Sequence, residues 1–253
     1  MIIDAHVHLP TGSSLRSFPE KKERLLLEMQ KNGVDKCIVI ADSWPDTEIG
    51  STEECMSLFP KNNPDGVYVV GGISPDVDFE NQLEIIRRGI EQKALVGIKL
   101  FPGHEKFFLT DKRLDPVYDL AVQADTPVLF HSGWDCSQFG EVEVAVEVAK
   151  RFPDLRLVCS HCWYPLIHSS VFAVPYPNIF FDLSSVADEP ERWDRVGISV
   201  RELIDCVLDR VMFGSDAFGC SMEQHIKFVK YLGLEKETED NIFAENAKKI
   251  YGI

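Results

Sequence analysis

Two histidines near the start of the sequence, His6 and His8, are two residues apart at the end of a short apolar run. In a β-strand, successive side chains point to opposite faces, so residues i and i+2 share a face about 6.6 Å apart. Two imidazoles in this arrangement can approach one metal ion. A lone His-x-His pair is also typical of ordinary polar residues at a strand end, so the metal hypothesis requires further ligands elsewhere in the chain.

Further candidate ligands follow apolar, β-branched segments at regular intervals. His131 ends the segment Val-Leu-Phe-His, His161 ends Val-Cys-Ser-His, and Asp216 follows Phe-Gly-Ser. Lys99 lies within Gly-Ile-Lys-Leu. The steps from His8 to Lys99 and onward are 91, 32, 30 and 55 residues. These are close to three, one, one and two βα units of about 32 residues, which predicts that each side chain lies at the same height on its own strand.

Eight short apolar segments recur along the chain, and amphipathic segments follow most of them, a pattern typical of successive βα units. The predicted strands are Ile2–Val7, Lys36–Ala41, Val67–Ile73, Val96–Phe101, Pro127–His131, Leu155–His161, Ile179–Leu183 and Val211–Ser215. The predicted helices are Glu20–Gly33, Phe79–Lys93, Leu114–Asp125, Glu141–Phe152, Ser199–Leu208 and Met222–Gly233. The segment after the second strand has a poor helical pattern, and Pro175 interrupts Ser169–Tyr176 after the sixth.

Eight alternating units in 253 residues predict an α/β fold of the (β/α)8 barrel type. A doubly wound sheet is disfavoured because no glycine-rich turn follows the first strand. We expect a single domain over residues 1–253, with Glu237–Tyr251 forming a helix outside the barrel. In such barrels the loops at the carboxyl ends of the strands build the active site, which is where the candidate ligands lie.

The composition is that of a globular protein with an acidic surface. Hydrophobic residues make up 45% of the chain, and 41 acidic against 26 basic residues give a formal net charge of −15. This charge repels phosphate backbones and anionic membranes, so we expect no nucleic-acid or membrane partner and a small-molecule substrate instead. Seven cysteines without a signal peptide predict reduced thiols in the cytoplasm. A homodimer is compatible, since dimers are the commonest closed assembly.

The combination of these segments resembles the amidohydrolase superfamily, and within it the metal-dependent hydrolase branch that includes decarboxylases. The likeness spans nearly the whole chain, and the combination of motifs is specific although each motif alone is common. The matching segments are Asp-Ala-His6-Val-His8, Gly-Ile-Lys99-Leu, His131, His161, Gly-Ser-Asp216 and the closing Phe-Ala-Glu-Asn246-Ala-Lys-Lys-Ile.

The resemblance implies a role for each matching residue. The ligands of a divalent ion would be His6, His8, His131 and Asp216. His161 would contact either a second ion or the water and substrate. Lys99 matches a position that some members carbamylate to bridge two metals, whereas others keep an unmodified lysine. Many relatives have Lys-Leu-His-Pro at strand four, where this chain has Phe101, so a role relayed through that histidine is not expected here.

Three imidazoles and one carboxylate suit zinc, and manganese, iron or cobalt are also compatible. A divalent ion with an open position lowers the pKa of bound water toward about 7 and polarises carbonyl groups. We expect Asp216 to take the proton from that water, and His161 to hydrogen-bond the developing oxyanion or to orient the water. This predicts hydrolysis of an amide, ester or lactone. Metal-dependent decarboxylation of a small carboxylic acid is the alternative, since the ligands alone do not separate the two.

Aromatic residues near the strand ends predict a pocket for an apolar or aromatic substrate body. Each ring could instead pack a loop against the barrel rim. His104, in the loop after strand four, is either within reach of the pocket or in an exposed loop position, and we expect the exposed position. The candidate substrate-binding residues are Lys99, Phe101, Trp134, Trp163 and Phe218.

Two other functions fit the sequence less well. Phosphoesterases of the histidinol-phosphatase type also begin with Asp-x-His-x-His, but they typically end their ligand set with Asp-x-His, where this chain has Asp216-Ala-Phe218. A barrel that binds metal without catalysis is the second. The retained set of ionisable residues argues against it, because such groups are costly to bury unless they are paired or ligated.

Overall fold

The computed structural model describes residues 1–12, 17–45, 47–61, 64–133 and 138–253. Eight parallel strands lie side by side in chain order, with helices between most of them, which confirms the predicted (β/α)8 barrel. The barrel closes where Ala5 N–H donates to Phe213 O over 3.0 Å and Asp216 N–H donates to His6 O over 2.8 Å. The strands are β1 (Ile3–Val7), β2 (Lys36–Ile40), β3 (Val67–Gly72), β4 (Gly97–Leu100), β5 (Val128–Phe130), β6 (Leu157–Cys159), β7 (Ile179–Asp182) and β8 (Val211–Met212).

The helices begin and end largely where local sequence signals place them. Helix α1 begins after Ser17, whose hydroxyl accepts from Glu20 N–H while the Glu20 carboxylate accepts from Ser17 N–H, and it ends at Gly33, where φ is 67°. Within the described ranges, no helix is both long and apolar enough to cross a membrane. The helices are α1 (Phe18–Asn32), α2 (Thr52–Leu58), α3 (Phe79–Glu91), α4 (Asp115–Gln123), α5 (Val142–Arg151), α6 (Trp193–Val207), α7 (Met222–Tyr231), α8 (Lys236–Asp240) and α9 (Asn246–Tyr251).

The helical layer differs from the prediction in three places. The segment between β6 and β7 forms short 3-10 turns, Ser160–Trp163 and Ile167–Ala173, rather than an α-helix. Helix α6 begins six residues earlier than predicted, because a 3-10 turn at Pro190–Arg192 leads directly into it. A π-helical turn at Asn241–Glu245 joins α8 to α9 in the C-terminal segment.

Strand β1 contains a bulge that decides which way its histidines point. It pairs with β2 at Asp4 and Cys37 and again at Val7 and Val39, so β1 has one extra residue in between. One inserted residue reverses the face that later side chains occupy. Accordingly, Ile3 packs inside the barrel whereas Val7 packs against the outer helices. The two histidines of this segment therefore face the barrel interior.

The barrel interior below the strand ends is apolar, and the C-terminal helix closes it. Three residues of α9, Ala247, Ile250 and Tyr251, join this inner cluster. Tyr251 also borders a groove with Val67 and Val96, at the amino-terminal ends of β3 and β4, so α9 lies across the end of the barrel opposite the candidate ligands. The inner strand residues are Ile3, Ala5, Ile38, Ile40, Val70, Leu129, Val158 and Met212.

Candidate active site

Three candidate metal ligands come together where β1 meets the segment that follows β8. One nitrogen of His6, one nitrogen of His8 and one oxygen of Asp216 all lie within 4.8 Å of one another. His8 Nε2 is 3.2 Å and His6 Nε2 is 3.7 Å from Asp216 Oδ1. Asp216 has a φ of 61°, a left-handed conformation that turns it back toward β1. The structure thus brings the first two candidate ligands of the sequence together with the last one.

The hydrogen bonds around this cluster make all three converging atoms electron-pair donors. His6 Nδ1 donates to Asp182 Oδ2 over 2.9 Å, and His8 Nδ1 donates to the Ile40 carbonyl over 3.1 Å. A neutral imidazole has one protonated nitrogen, so each Nε2 carries a lone pair. Asp216 Oδ1 is buried and has no hydrogen-bond partner among the described residues. Three such atoms repel one another unless a cation lies between them, so the residues fit a divalent metal.

Asp182, at the end of β7, contacts the candidate ligand His6 and is not among the residues predicted from the sequence. Its side chain is fully buried, and it accepts hydrogen bonds from His6 Nδ1 and from the Ser184 backbone N–H, the latter over 2.9 Å. Burial alone would raise the pKa of this carboxyl, but the neighbouring His6 and the Ser184 hydroxyl hold it below its ordinary value. A charged side chain inside the predicted apolar segment Ile-Phe-Phe-Asp was the available signal.

Two serines and a second buried carboxylate fix the position of Asp216. Ser185 Oγ donates to Asp216 Oδ2 over 2.6 Å, which leaves Oδ1 as the oxygen that faces the histidines. Asp4 accepts from the backbone N–H and the hydroxyl of Ser215, over 2.9 and 2.5 Å. Burial raises the pKa of Asp4 to about 7. Asp4 therefore ties β1 to the residue that immediately precedes Asp216.

The three other candidate residues lie beside the cluster rather than within it. The His161 ring centroid is 5.1 Å from that of His6 and 4.8 Å from that of His131. His131 Nε2 is buried and has no hydrogen-bond partner in the described part of the chain, so it is available to a metal or substrate. Lys99 Nζ donates to Ser160 Oγ over 2.8 Å, and burial lowers the pKa of this lysine to about 8.

Burial also decides the charge of the cavity histidines. It lowers the pKa of His6 and of His131, and it lowers that of His161 to about 3. Without a metal these imidazoles are therefore neutral at neutral pH. Neutral imidazole is the form that coordinates metal ions.

A cavity of about 370 Å³ opens above these residues at the carboxyl ends of the strands. Its wall includes Asp42 and the half-exposed indole of Trp44. His104 also borders it, with its ring centroid 4.1 Å from that of His131, so this residue reaches the site although it is exposed. Glu105 is buried in the same wall, where it accepts hydrogen bonds from the hydroxyls of Ser43 and Ser74. The residues around the cavity are His6, His8, Asp42, Trp44, Ile49, Lys99, Phe101, His104, Glu105, His131, His161, Asp216 and Gly219.

The candidate substrate-binding residues have different positions. Lys99 and Phe101 both line the cavity, with Lys99 Nζ 5.4 Å from the centre of the Phe101 ring. Trp163 is 5% exposed and donates from Nε1 to the Gly140 carbonyl, so it packs in the core and is not among the cavity residues. Phe218 packs against the outer core. Trp134 lies outside the described residues.

Comparison with known proteins places this architecture in a family. No curated protein sequence matches the chain. Many solved structures share its barrel fold, among them the following three enzymes. 2,6-Dihydroxybenzoate decarboxylase from Rhizobium is 13% identical, with a TM-score of 0.74, and the match covers 99% of this chain and 98% of that one. Manganese-bound 5-carboxyvanillate decarboxylase from Novosphingobium aromaticivorans is 16% identical, with a TM-score of 0.72 and coverage of 100% and 96%.

The third structure, 4-oxalomesaconate hydratase from Rhodopseudomonas palustris, is 20% identical, with a TM-score of 0.71 and coverage of 100% and 96%. These relatives are enzymes of more than one reaction class, so the shared fold does not define the reaction. A sequence model of the amidohydrolase family matches residues 3–253. The chain therefore belongs to the amidohydrolase family.

Proposed function

We propose that the protein is a divalent-metal-dependent hydrolase that acts on an amide, ester or lactone of a small molecule. The observation that carries this proposal is the convergence of two unprotonated imidazole nitrogens and an unpartnered carboxylate oxygen on the floor of an open cavity. Zinc is our first choice of metal because imidazole and carboxylate ligands suit it. Manganese, iron and cobalt are also compatible, and one relative of the same fold is bound to manganese.

When bound, the metal supplies a positive charge that polarises a carbonyl group and favours the deprotonated form of a water molecule. The protein's own residues then accept and return the proton of this water. Asp216 holds Oδ2 against the Ser185 hydroxyl and presents Oδ1 to the cavity, so it can accept a proton from the attacking water. The same carboxyl can afterwards return that proton to the leaving group. His131 is the fourth residue that we propose as a ligand.

The cavity walls limit what can reach these groups. Its volume of about 370 Å³ fits a small molecule rather than a polymer. Phe101 and Trp44 contribute aromatic surface for an apolar substrate body. Lys99 is the one lysine or arginine among the described cavity residues, and it can donate to a carbonyl or carboxylate oxygen of the substrate.

Decarboxylation of a small carboxylic acid is the second candidate. Lys99 lies in the cavity and offers an ammonium group that can hold a carboxylate. The similarity to two decarboxylases of the same fold also supports this reaction. In that case Asp216 would still serve as a metal ligand but not as the acceptor of a proton from water, and an acid in the cavity would protonate the carbon that loses CO2.

Isotope incorporation separates the two reactions. The zinc-loaded and the manganese-loaded protein would be incubated with small esters, lactones, amides and aromatic carboxylic acids in water labelled with ¹⁸O and deuterium. Hydrolysis predicts ¹⁸O in the acid product, and decarboxylation predicts release of CO2 with deuterium at carbon. Protein stripped of metal is the control. Turnover solely by decarboxylation would contradict our first proposal and support the second.

A further inference from the structure

Asp182 lies between two histidines of the site and is hydrogen-bonded to the ring of one directly and to the ring of the other through a serine. Its Oδ2 accepts from His6 Nδ1 over 2.9 Å. Its Oδ1 accepts from the backbone N–H of Ser184 over 2.9 Å and also from the Ser184 hydroxyl. The hydroxyl oxygen of Ser184 is in turn 2.8 Å from His161 Nδ1. One buried carboxylate thus begins a hydrogen-bonded path to each imidazole.

The direction of these hydrogen bonds fixes which nitrogen of His161 carries the proton. The Ser184 hydroxyl gives its hydrogen to Asp182, so its oxygen can only accept from His161. The Ser184 carbonyl, 3.2 Å from the same nitrogen, is also an acceptor. With two acceptors against Nδ1, the proton lies there, and Nε2 is left with its lone pair. His161 is buried at 3% exposure and lines the cavity, so this lone pair belongs to the site.

We propose that Asp182 is a positioning residue that acts through Ser184 to make His161 a hydrogen-bond acceptor toward the cavity. This inference rests on the proposed function, because it assigns His161 a part in the same reaction. A water molecule has two hydrogens, and Asp216 and His161 then supply one acceptor for each. His161 therefore orients the attacking water, while stabilisation of the oxyanion falls to other groups. By the same contact, Asp182 keeps His6 Nε2 free for the metal.

The protonated nitrogen of His161 can be measured directly in the wild-type protein. Long-range ¹H–¹⁵N spectra of histidine-labelled protein distinguish protonated from unprotonated ring nitrogens. A His161→Gln variant assigns the signals by their loss. We expect a protonated Nδ1 and an unprotonated Nε2 for His161, both in metal-free and in zinc-loaded protein. A protonated Nε2 in the metal-free protein would overturn the proposal, whether or not the protein binds zinc or hydrolyses anything.

Two substitutions test the shared role of Asp182. Asp182→Asn cannot accept from His6 and Ser184 with the same strength, so zinc affinity should fall about 10- to 100-fold and both histidines should lose their single tautomer. Ser184→Ala should disturb the His161 signals but leave His6 in a single tautomer, because the bond from His6 Nδ1 to Asp182 survives although Ser184 Oγ is also 3.3 Å from that nitrogen. Zinc affinity should change less than about threefold.

Ser170→Ala is the matched control. Ser170 is equally buried, and its hydroxyl donates to the Cys162 carbonyl over 3.3 Å, so its loss should not change either histidine. If Asp182→Asn retains wild-type zinc affinity and unchanged histidine spectra, Asp182 has no positioning role. Failure of wild-type protein to bind zinc would instead count against the proposed function, and the metal-free spectra would still decide this inference.

Discussion

The two ends of the barrel interior are formed by the same eight strands but differ completely in chemistry. Toward the amino-terminal end, Ile38, Val70 and Leu129 belong to one buried apolar cluster that also contains Tyr251 of the C-terminal helix. At the carboxyl end, the interior holds buried histidines, a buried lysine and buried carboxylates. A shift of one or two positions along a strand therefore separates an aliphatic core from a reactive site.

This difference teaches that stability and function are supplied by separate layers. We call the amino-terminal end, which the C-terminal helix covers, the closed end, and the carboxyl end, where the cavity lies, the open end. Apolar side chains at the closed end stabilise the fold by burial. Ionisable groups at the carboxyl end are costly to bury, as the lowered pKa values of Lys99 and His161 both show. Substitutions at the closed end should accordingly lower stability more than activity, and substitutions at the open end should lower activity more than stability.

Removal of the charge of Asp216 should give the largest effect on function. Asp216→Asn keeps the size and the contact with Ser185 but loses the proton acceptor. We expect kcat to fall about 100- to 10,000-fold, since this is the usual contribution of a general base. Circular dichroism should show an unchanged fold. Full turnover in this variant would mean that the reaction does not depend on this carboxylate.

At the closed end, Ile38→Ala should lower stability and leave activity unchanged. Ile38 is fully buried in the inner cluster, so truncation leaves a cavity and lowers the free energy of unfolding by about 2–5 kcal/mol. Bound metal and turnover of the folded fraction should stay at wild-type values. Chemical denaturation measures the stability, mass spectrometry measures the bound metal, and an activity assay measures the turnover. Leu27→Ala, at a position 52% exposed, is the control and should change stability by less than about 0.5 kcal/mol.

Lys99→Met should separate stability from function at the open end, because it should stabilise the metal-free protein while it impairs the site. The lysine is fully buried, and its pKa falls from 10.5 to about 8. At pH 7 the unfavourable burial of its charge amounts to about 3 kcal/mol, which methionine would avoid. We expect the variant to be up to about 3 kcal/mol more stable in chemical denaturation at pH 7.

The same variant gives a pH test with a definite sign. Between pH 8 and 10.5 the unfolded chain holds a proton on Lys99 that the folded protein has lost, so wild-type stability rises with pH across this window. The stability advantage of Lys99→Met should therefore shrink as the pH rises from 8 and vanish near 10.5. A constant difference across this range would show that Lys99 does not carry the predicted cost.

Much of the fold and part of the site could be predicted from the sequence, because both depend on a repeated interval. The spacing of Lys99, His131, His161 and Asp216 by whole βα units predicts residues at the strand ends, and the structure brings all of them to one cavity. Helix boundaries with a clear stop, such as Gly33, were also predictable. These features depend on local sequence and on periodicity alone.

Other features depend on contacts between distant strands, which no local pattern reports. Asp182 bonds to Ser184 nearby, but its partners His6 and His161 are 176 and 21 residues away in sequence, and its role becomes visible when the fold brings β7 to them. The bulge in β1 is a matter of register with β2. Trp163 was expected to face the substrate, but three consecutive residues with positive φ, from His161 to Trp163, place its ring in the core.

The central claim is that His6, His8 and Asp216 hold a divalent metal, and metal content tests it most directly. Wild-type protein and the double variant His6→Ala, His8→Ala would be loaded with zinc, dialysed and analysed by mass spectrometry, with circular dichroism as the control for folding. We predict about one equivalent of zinc in the wild type and less than about a tenth of that in the variant. Equal metal content in the two proteins would contradict the account.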